Sequence, residues 1–130
     1  MYKVEKTSYG YKLIFGDFIQ ADEMKKWVDE SKEILANSTS EFYIFVDMRT
    51  LKPLPEDAQP FMQEGQKLYK QSGMKRSVVI LNNPIITLQF KRIAKETGID
   101  QWERYIDASS VPDWEAKGLA WITEGKDPDQ

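Results

Sequence analysis

Neither cysteine nor histidine occurs among the 130 residues. Without thiols there is no disulfide and no thiolate nucleophile, and without imidazoles there is no histidine base. The two absences together exclude structural zinc sites built on thiolate or imidazole ligands. Any catalysis would rest on carboxylates, Lys, Tyr, Ser or Thr. Glycine is sparse, at seven residues, and none of it forms a phosphate-binding loop. Gly10 and Gly16 are too far apart for a dinucleotide fingerprint, and no Gly-Lys-Ser or Gly-Lys-Thr occurs. No cofactor is implied, and no carboxylate spacing of the EF-hand type implies a metal. A surplus of positive charge is missing too: 18 Lys and Arg face 21 Asp and Glu, for a net charge of −3. Nothing in that balance attracts polyanions or anionic headgroups, so neither nucleic acid nor a membrane is an expected partner. Long apolar runs are absent, and MYKVEKTSYGYKLIFG has no continuous apolar stretch after its first lysine. The expectation is a cytoplasmic protein that spans and anchors to nothing.

What is present suits one domain. The chain is 41% hydrophobic and 30% charged, and a compact chain of this length buries roughly two-thirds of its unfolded surface. Tyr2 and Val4 alternate with Lys3 and Glu5, and Tyr11, Leu13 and Phe15 with Lys12 and Ile14, around Thr7-Ser8-Tyr9-Gly10, which predicts an antiparallel hairpin. From Asp22 the period becomes helical, with Met24, Trp27, Val28, Ser31, Ile34 and Leu35 on one stripe. Phe42–Val46 is a continuous apolar run closed by Asp47, as in a strand covered on both faces. A second helix carries Ala58, Phe61, Met62, Gly65, Leu68 and Tyr69, with Gly65 placed for close approach to a neighbour. Ser77–Leu81 is another buried strand. Asn82-Asn83-Pro84 opens a helix with Ile86, Phe90, Ile93, Ala94 and Thr97 inward, ending at Gly98. Arg104–Asp107 is a short strand, and Ser110-Val111-Pro112-Asp113 opens a last helix presenting Trp114, Gly118, Trp121 and Ile122.

Alternating helix and strand makes crossover units. The predicted fold is therefore α/β: a mixed, mostly parallel central sheet of about five strands, with an N-terminal antiparallel hairpin and helices packed against it. Residues 1–124 form the single domain, and 125–130 a flexible tail.

In open α/β sheets ligands sit beyond the carboxyl ends of the parallel strands. That rim gathers Asp47, Arg49 and Thr50, then Asn82 and Asn83, then Asp107, and these six are the candidate binding residues. Asp, Asn and Ser also cap helices and form turns at such junctions. No catalytic residue is assigned. Lys75, Arg76, Lys91, Arg92 and Lys95 read as solvated surface. Trp102, Trp114 and Trp121 are the interface candidates: Trp102 because no helical stripe absorbs it, the other two because they suit a subunit contact as well as burial on the sheet, with burial the favoured reading.

The run Phe42 to Arg49, the following amphipathic helix, the Ser77–Leu81 strand, the Arg104–Asp107 strand and the Trp114–Ile122 helix together resemble the SpoIIAA-like group of STAS domains, distantly similar to CRAL-TRIO domains. The resemblance implies a small bacterial regulatory domain whose partner is a kinase, a phosphatase or a sigma-regulating protein. In the anti-sigma-factor antagonists, a serine at the start of the helix after the central strand is phosphorylated. Here Asp47 matches the acidic residue closing that strand, but Asp47–Gln66 holds no serine and Pro55-Glu56-Asp57 replaces the Asp-Ser-Ser-Gly motif. Thr50 is the hydroxyl left as phosphorylation candidate. The leading expectation is a non-catalytic interaction module. The alternatives are a small-molecule or anion binder, or weak hydrolase, using Asp47, Arg49 and Asp107, and a homodimer assembled through its tryptophans.

Overall fold

The computed structural model describes residues 1–38 and 40–129. Strand β1 (Tyr2–Lys6) pairs antiparallel with β2 (Gly10–Phe15), and β3 (Phe42–Asp47), β4 (Met74–Leu81) and β5 (Glu103–Asp107) follow in parallel, so the spatial order is the chain order. Helix α1 (Ala21–Leu35) joins β2 to β3, α2 (Gln59–Gln71) joins β3 to β4, and α3 (Pro84–Thr97) joins β4 to β5. Right-handed crossovers advancing in one direction put all three on one face of the sheet. Helix α4 (Trp114–Glu124) comes after the last strand and takes the other face. The predicted α/β architecture is the observed one.

The pleat sorts each strand between two cores. Leu13, Phe15, Ile44, Val46, Val79 and Leu81 meet Met24, Trp27, Met62, Tyr69, Phe90 and Ile93 from the three helices. Phe45, Val78, Ile80 and Ile106 meet Trp121 and Ile122 of α4. Helix α4 lies over β3, β4 and β5, so Lys3 and Glu5 of β1 stand at the surface as an ion pair. Among the described residues no helix is long and apolar enough to cross a membrane.

Two glycines are needed where the chain packs most closely. Gly10 closes the hairpin at φ +148°, and a Cβ there would lie 2.2 Å from the carbonyl oxygen of Tyr43 on the next strand. Gly65 brings α2 onto α1: a Cβ would sit 2.1 Å from the Trp27 ring. That ring cannot slide away, because Phe15 meets it edge-on at 5.0 Å and Tyr69 stacks on it at 5.7 Å.

Four details differ from the sequence reading. Ile34 is 40% exposed; it falls beside the buried stripe and lines a groove at the amino-terminal ends of β2 and β3. Helix α2 is preceded by a 3-10 turn, Glu56–Ala58. Helix α4 starts at Trp114 rather than near Ser110, because Ser110 donates its hydroxyl to the Asp107 carbonyl in the preceding turn. The segment after α4 is tethered, with Arg104 Nε donating to Asp127 at 3.0 Å; Gln130 of the expected tail lies outside the described residues.

Gly65→Ala sets helix propensity, worth about 1 kcal/mol in favour of alanine, against a steric clash with an immobilised indole. The clash wins, with an expected net loss of about 1–3 kcal/mol. Urea denaturation decides the matter: a variant as stable as the parent would show that α1 and α2 are not in tight contact.

Candidate functional site

Asp47 ends β3 with its side chain on the α4 face, and Arg49 turns back onto it. Arg49 donates from Nε at 3.0 Å and from a terminal guanidinium nitrogen at 2.9 Å, and its backbone N–H adds a third bond at 3.1 Å. Partial burial alone would raise the Asp47 carboxyl, but the Arg49 hydrogen bonds and charge outweigh it and hold the group below the ordinary carboxylate range. The guanidinium carbon lies 4.3 Å from the centre of the Trp114 ring, the geometry of a cation–π contact. Carboxylate, guanidinium and indole thus form one assembly at the carboxyl end of the central strand.

The other rim candidates do local work. Asn83 caps α3, its Oδ1 accepting from Ile85 N at 2.8 Å and Ile86 N at 3.3 Å, and Asn82 is exposed beside it. Asp107 accepts from Ser109 N at 2.9 Å and Ser109 Oγ at 2.6 Å. Those bonds hold its carboxyl low as well. Thr50 is exposed, and its carbonyl accepts from Asp17 N at 3.1 Å.

Register separates Asp47 from Asp107. Asp47 stands level with Ile80, and Ile80 with Ile106. Asp107 is one residue further on and so points to the opposite face. The alternative reading that uses Asp47, Arg49 and Asp107 as one site is corrected: the structure brings the first two together and leaves the third on the other face of the sheet. Among the described residues no group of three or more acidic side chains could hold a metal ion.

The tryptophans divide. Trp121 is a core residue, 8% exposed, with its indole N–H donating to the Ser77 carbonyl at 2.9 Å and Arg104 stacked on it at 4.3 Å. It has little surface left for a subunit contact. Trp114 is half-buried under Arg49. Trp102 is half-buried under the Lys70 ammonium, 3.7 Å from its ring centre.

Glu103 was missed by the sequence reading. It is 7% exposed at the start of β5. Ser77 Oγ donates to its Oε1 at 3.2 Å, and the Tyr105 hydroxyl lies against its Oε2. That hydroxyl is also 3.1 Å from the Phe90 carbonyl, so its single proton faces two acceptors. A protonated Glu103 resolves the count: its own O–H serves Tyr105, and the Tyr105 O–H serves Phe90. Burial drives the same way, pushing the carboxyl up to about 7, with the two hydroxyl contacts only partly offsetting it. Glu103 also borders a core cavity of about 40 Å³ shared with Gln66, Ser77 and Trp27. The Trp27 indole N–H faces the Tyr69 hydroxyl without completing a hydrogen bond to it, and has no partner among the described residues. The signal available in sequence was only parity: with Tyr105 facing the helices, Glu103 must face them too.

The raised Glu103 pKa makes this group's contribution to stability fall as pH rises. The contribution is whole below the unfolded value of 4.5 and is lost as pH rises through about 7. The difference amounts to roughly 3 kcal/mol at full ionisation. Glu103→Gln keeps the shape and removes the proton, so it should gain on the parent in urea midpoint between about pH 5 and pH 8. Parallel pH profiles for parent and variant would show the carboxyl to be ionised in the folded state throughout.

No family profile, no curated protein and no solved structure matches this chain.

Proposed function

We propose that the chain is a non-catalytic protein-interaction or regulatory module of the SpoIIAA-like, STAS-like kind, working in the bacterial cytoplasm through the rim around Asp47. The observation that carries it is Arg49. Its guanidinium is fixed by Asp47 and Trp114, yet the side chain remains 43% exposed. A long side chain ordered before binding loses less entropy when a partner arrives, and arginine is among the residues on which interface energy concentrates. Asp47, held ionised and occupied by Arg49, is a poor general base. The observed element order supports the family resemblance, and the resemblance supplies the class of partner: a kinase, a phosphatase or a sigma-regulating protein. Thr50 is accessible for modification. It does not sit at the start of α2 as the family serine would, so phosphate there would act on the turn that holds β2 to the loop after β3.

The test is a tagged capture from native lysate with the parent and with Arg49→Ala. Arg49→Ala leaves Asp47, 13% exposed, without its side-chain partner, so the melting temperature should fall by several degrees with circular dichroism unchanged below it, while recovery of the partner falls by about tenfold or more. Equal recovery with the variant, recovery of bait alone, or substrate turnover abolished by Asp47→Ala in a folded protein would each overturn the proposal.

A further inference from the structure

Strand β5 is an outer strand of the sheet, and the segment after α4 lies against it. Arg104 is built into that edge. Its guanidinium stacks on the Trp121 ring at 4.3 Å, and one terminal nitrogen donates to the carbonyls of Glu103 at 3.0 Å, Gln101 at 3.3 Å and Asp100 at 3.4 Å. The rest of the fork, Nε at 3.0 Å and the other terminal nitrogen at 3.1 Å, takes both carboxylate oxygens of Asp127, and Asp129 stands 3.9 Å away. A guanidinium used on two oxygens of one group recognises carboxylates and phosphates, and here a carboxylate fills it. Past Lys126, whose N–H bonds to the Ala120 carbonyl, the ties of this segment to the rest of the fold among the described residues are those of Asp127 and Asp129 to Arg104. Arg104 does not need them in return, because Trp121 and the three carbonyls hold its guanidinium in place.

Arg104 and Asp129 also line a pocket of about 260 Å³, together with Lys91, Lys95, Asp100 and Glu103. Lys91 and Lys95 are one turn apart on α3, and neither forms an ion pair among the described residues. Glu103 is buried and, being protonated, adds no charge. Apart from Asp127 and Asp129, three cations therefore face the single carboxylate of Asp100. The excess is local, since the chain as a whole is acidic, and what it holds is the chain's own acidic end. The Arg104 fork stands on the α4 side of β5 and the two lysines on the α3 side. A small anion in the fork leaves the lysines unserved, whereas side chains alternating along an extended segment beside β5 reach both. We infer that this edge is a docking site for an extended acidic segment of a partner protein, and that Asp127 and Asp129 occupy part of it as a built-in competitor. It belongs to β5, whereas Arg49 follows β3, and it does not rest on the reading of the Arg49 rim.

Fluorescence polarisation of a fluorescein-labelled decapeptide of alternating Asp and Ser tests it, at about pH 6, where Glu103 is protonated, and about 50 mM salt. The full chain should bind the peptide weakly. Asp127→Ala with Asp129→Ala should bind it about tenfold tighter or more, with circular dichroism unchanged, because the intramolecular competitor is gone. Adding Lys91→Gln and Lys95→Gln to that variant should weaken binding by about tenfold or more. Absence of binding by the aspartate variant, equal affinity for it and the parent, or indifference to the lysine substitutions overturns the inference. Equal binding of a peptide of alternating Asn and Ser does so as well, and so does displacement of the peptide by inorganic phosphate at the same concentration, the behaviour of a small-anion site. Partner capture by Arg49→Ala is read separately and changes with none of these outcomes.

Discussion

The pleat of the sheet governs most of what this chain presents. Because successive side chains alternate between faces, the parallel register decides which residues meet, and nothing in their sequence spacing does. Phe45 and Ile80 go to α4 while Ile44 and Val79 go to the three crossover helices. The same rule separates Asp47 from Asp107 and turns Glu103 inward beside Ser77. A shift of one residue in β5 would turn Arg104 toward the crossover helices, Glu103 to the α4 face and Asp107 to the Asp47 side. Three differently placed acids are therefore consequences of one register, which also seats Tyr105 against the core under the crossover helices and Ile106 against the core under α4.

At the rim, two physical demands compete for the same residues. Every strand that ends there must hand its backbone to a helix or turn without leaving polar groups unpaired. Asn83 and Asp107 are consumed by that demand, one capping α3 and the other closing the turn through Ser109. Arg49 meets a different requirement. It neutralises a carboxylate that is only 13% exposed and then lies over Trp114, so its position is set by packing as well as charge. This end of the molecule therefore presents a fixed guanidinium on one side and exposed apolar side chains on the other.

The fold was legible because its signals are local. Period-two alternation around Gly10 and helical stripes such as Met24-Trp27-Val28-Ser31 survive without knowledge of neighbours, and the contact at Gly65 follows from a glycine in the middle of an apolar stripe. The rim residues could be named, since strand ends carry them in any α/β sheet, but their pairing could not, since it needs the register. The start of α4 was misplaced because Ser110 and Pro112 look like a helix opening, whereas Asp107 captures the serines first. Glu103 was passed over because it adjoins Trp102 at a strand boundary, where a one-residue uncertainty decides between solvent and core. Trp121 and Trp114, seven residues apart on one helix, differ in fate because the former lies over the centre of β4 and the latter at the rim.

Acidity and accessibility are separated in this molecule, and the separation bears on what it does. Proton transfer by a carboxyl at neutral pH needs a group that titrates there and that a substrate can reach. Glu103 titrates near 7 but lies 7% exposed behind Tyr105 and Ser77. Asp47 and Asp107 lie at the open rim but are held below the ordinary carboxylate range by Arg49 and Ser109. The group with useful acidity is committed to the core, where its protonation state changes stability. The groups within reach are committed to fixed hydrogen bonds, where they shape a surface. A fold arranged in this way spends its carboxylates on form: the buried one on the core and the two at the rim on the turns and side chains that they hold in place.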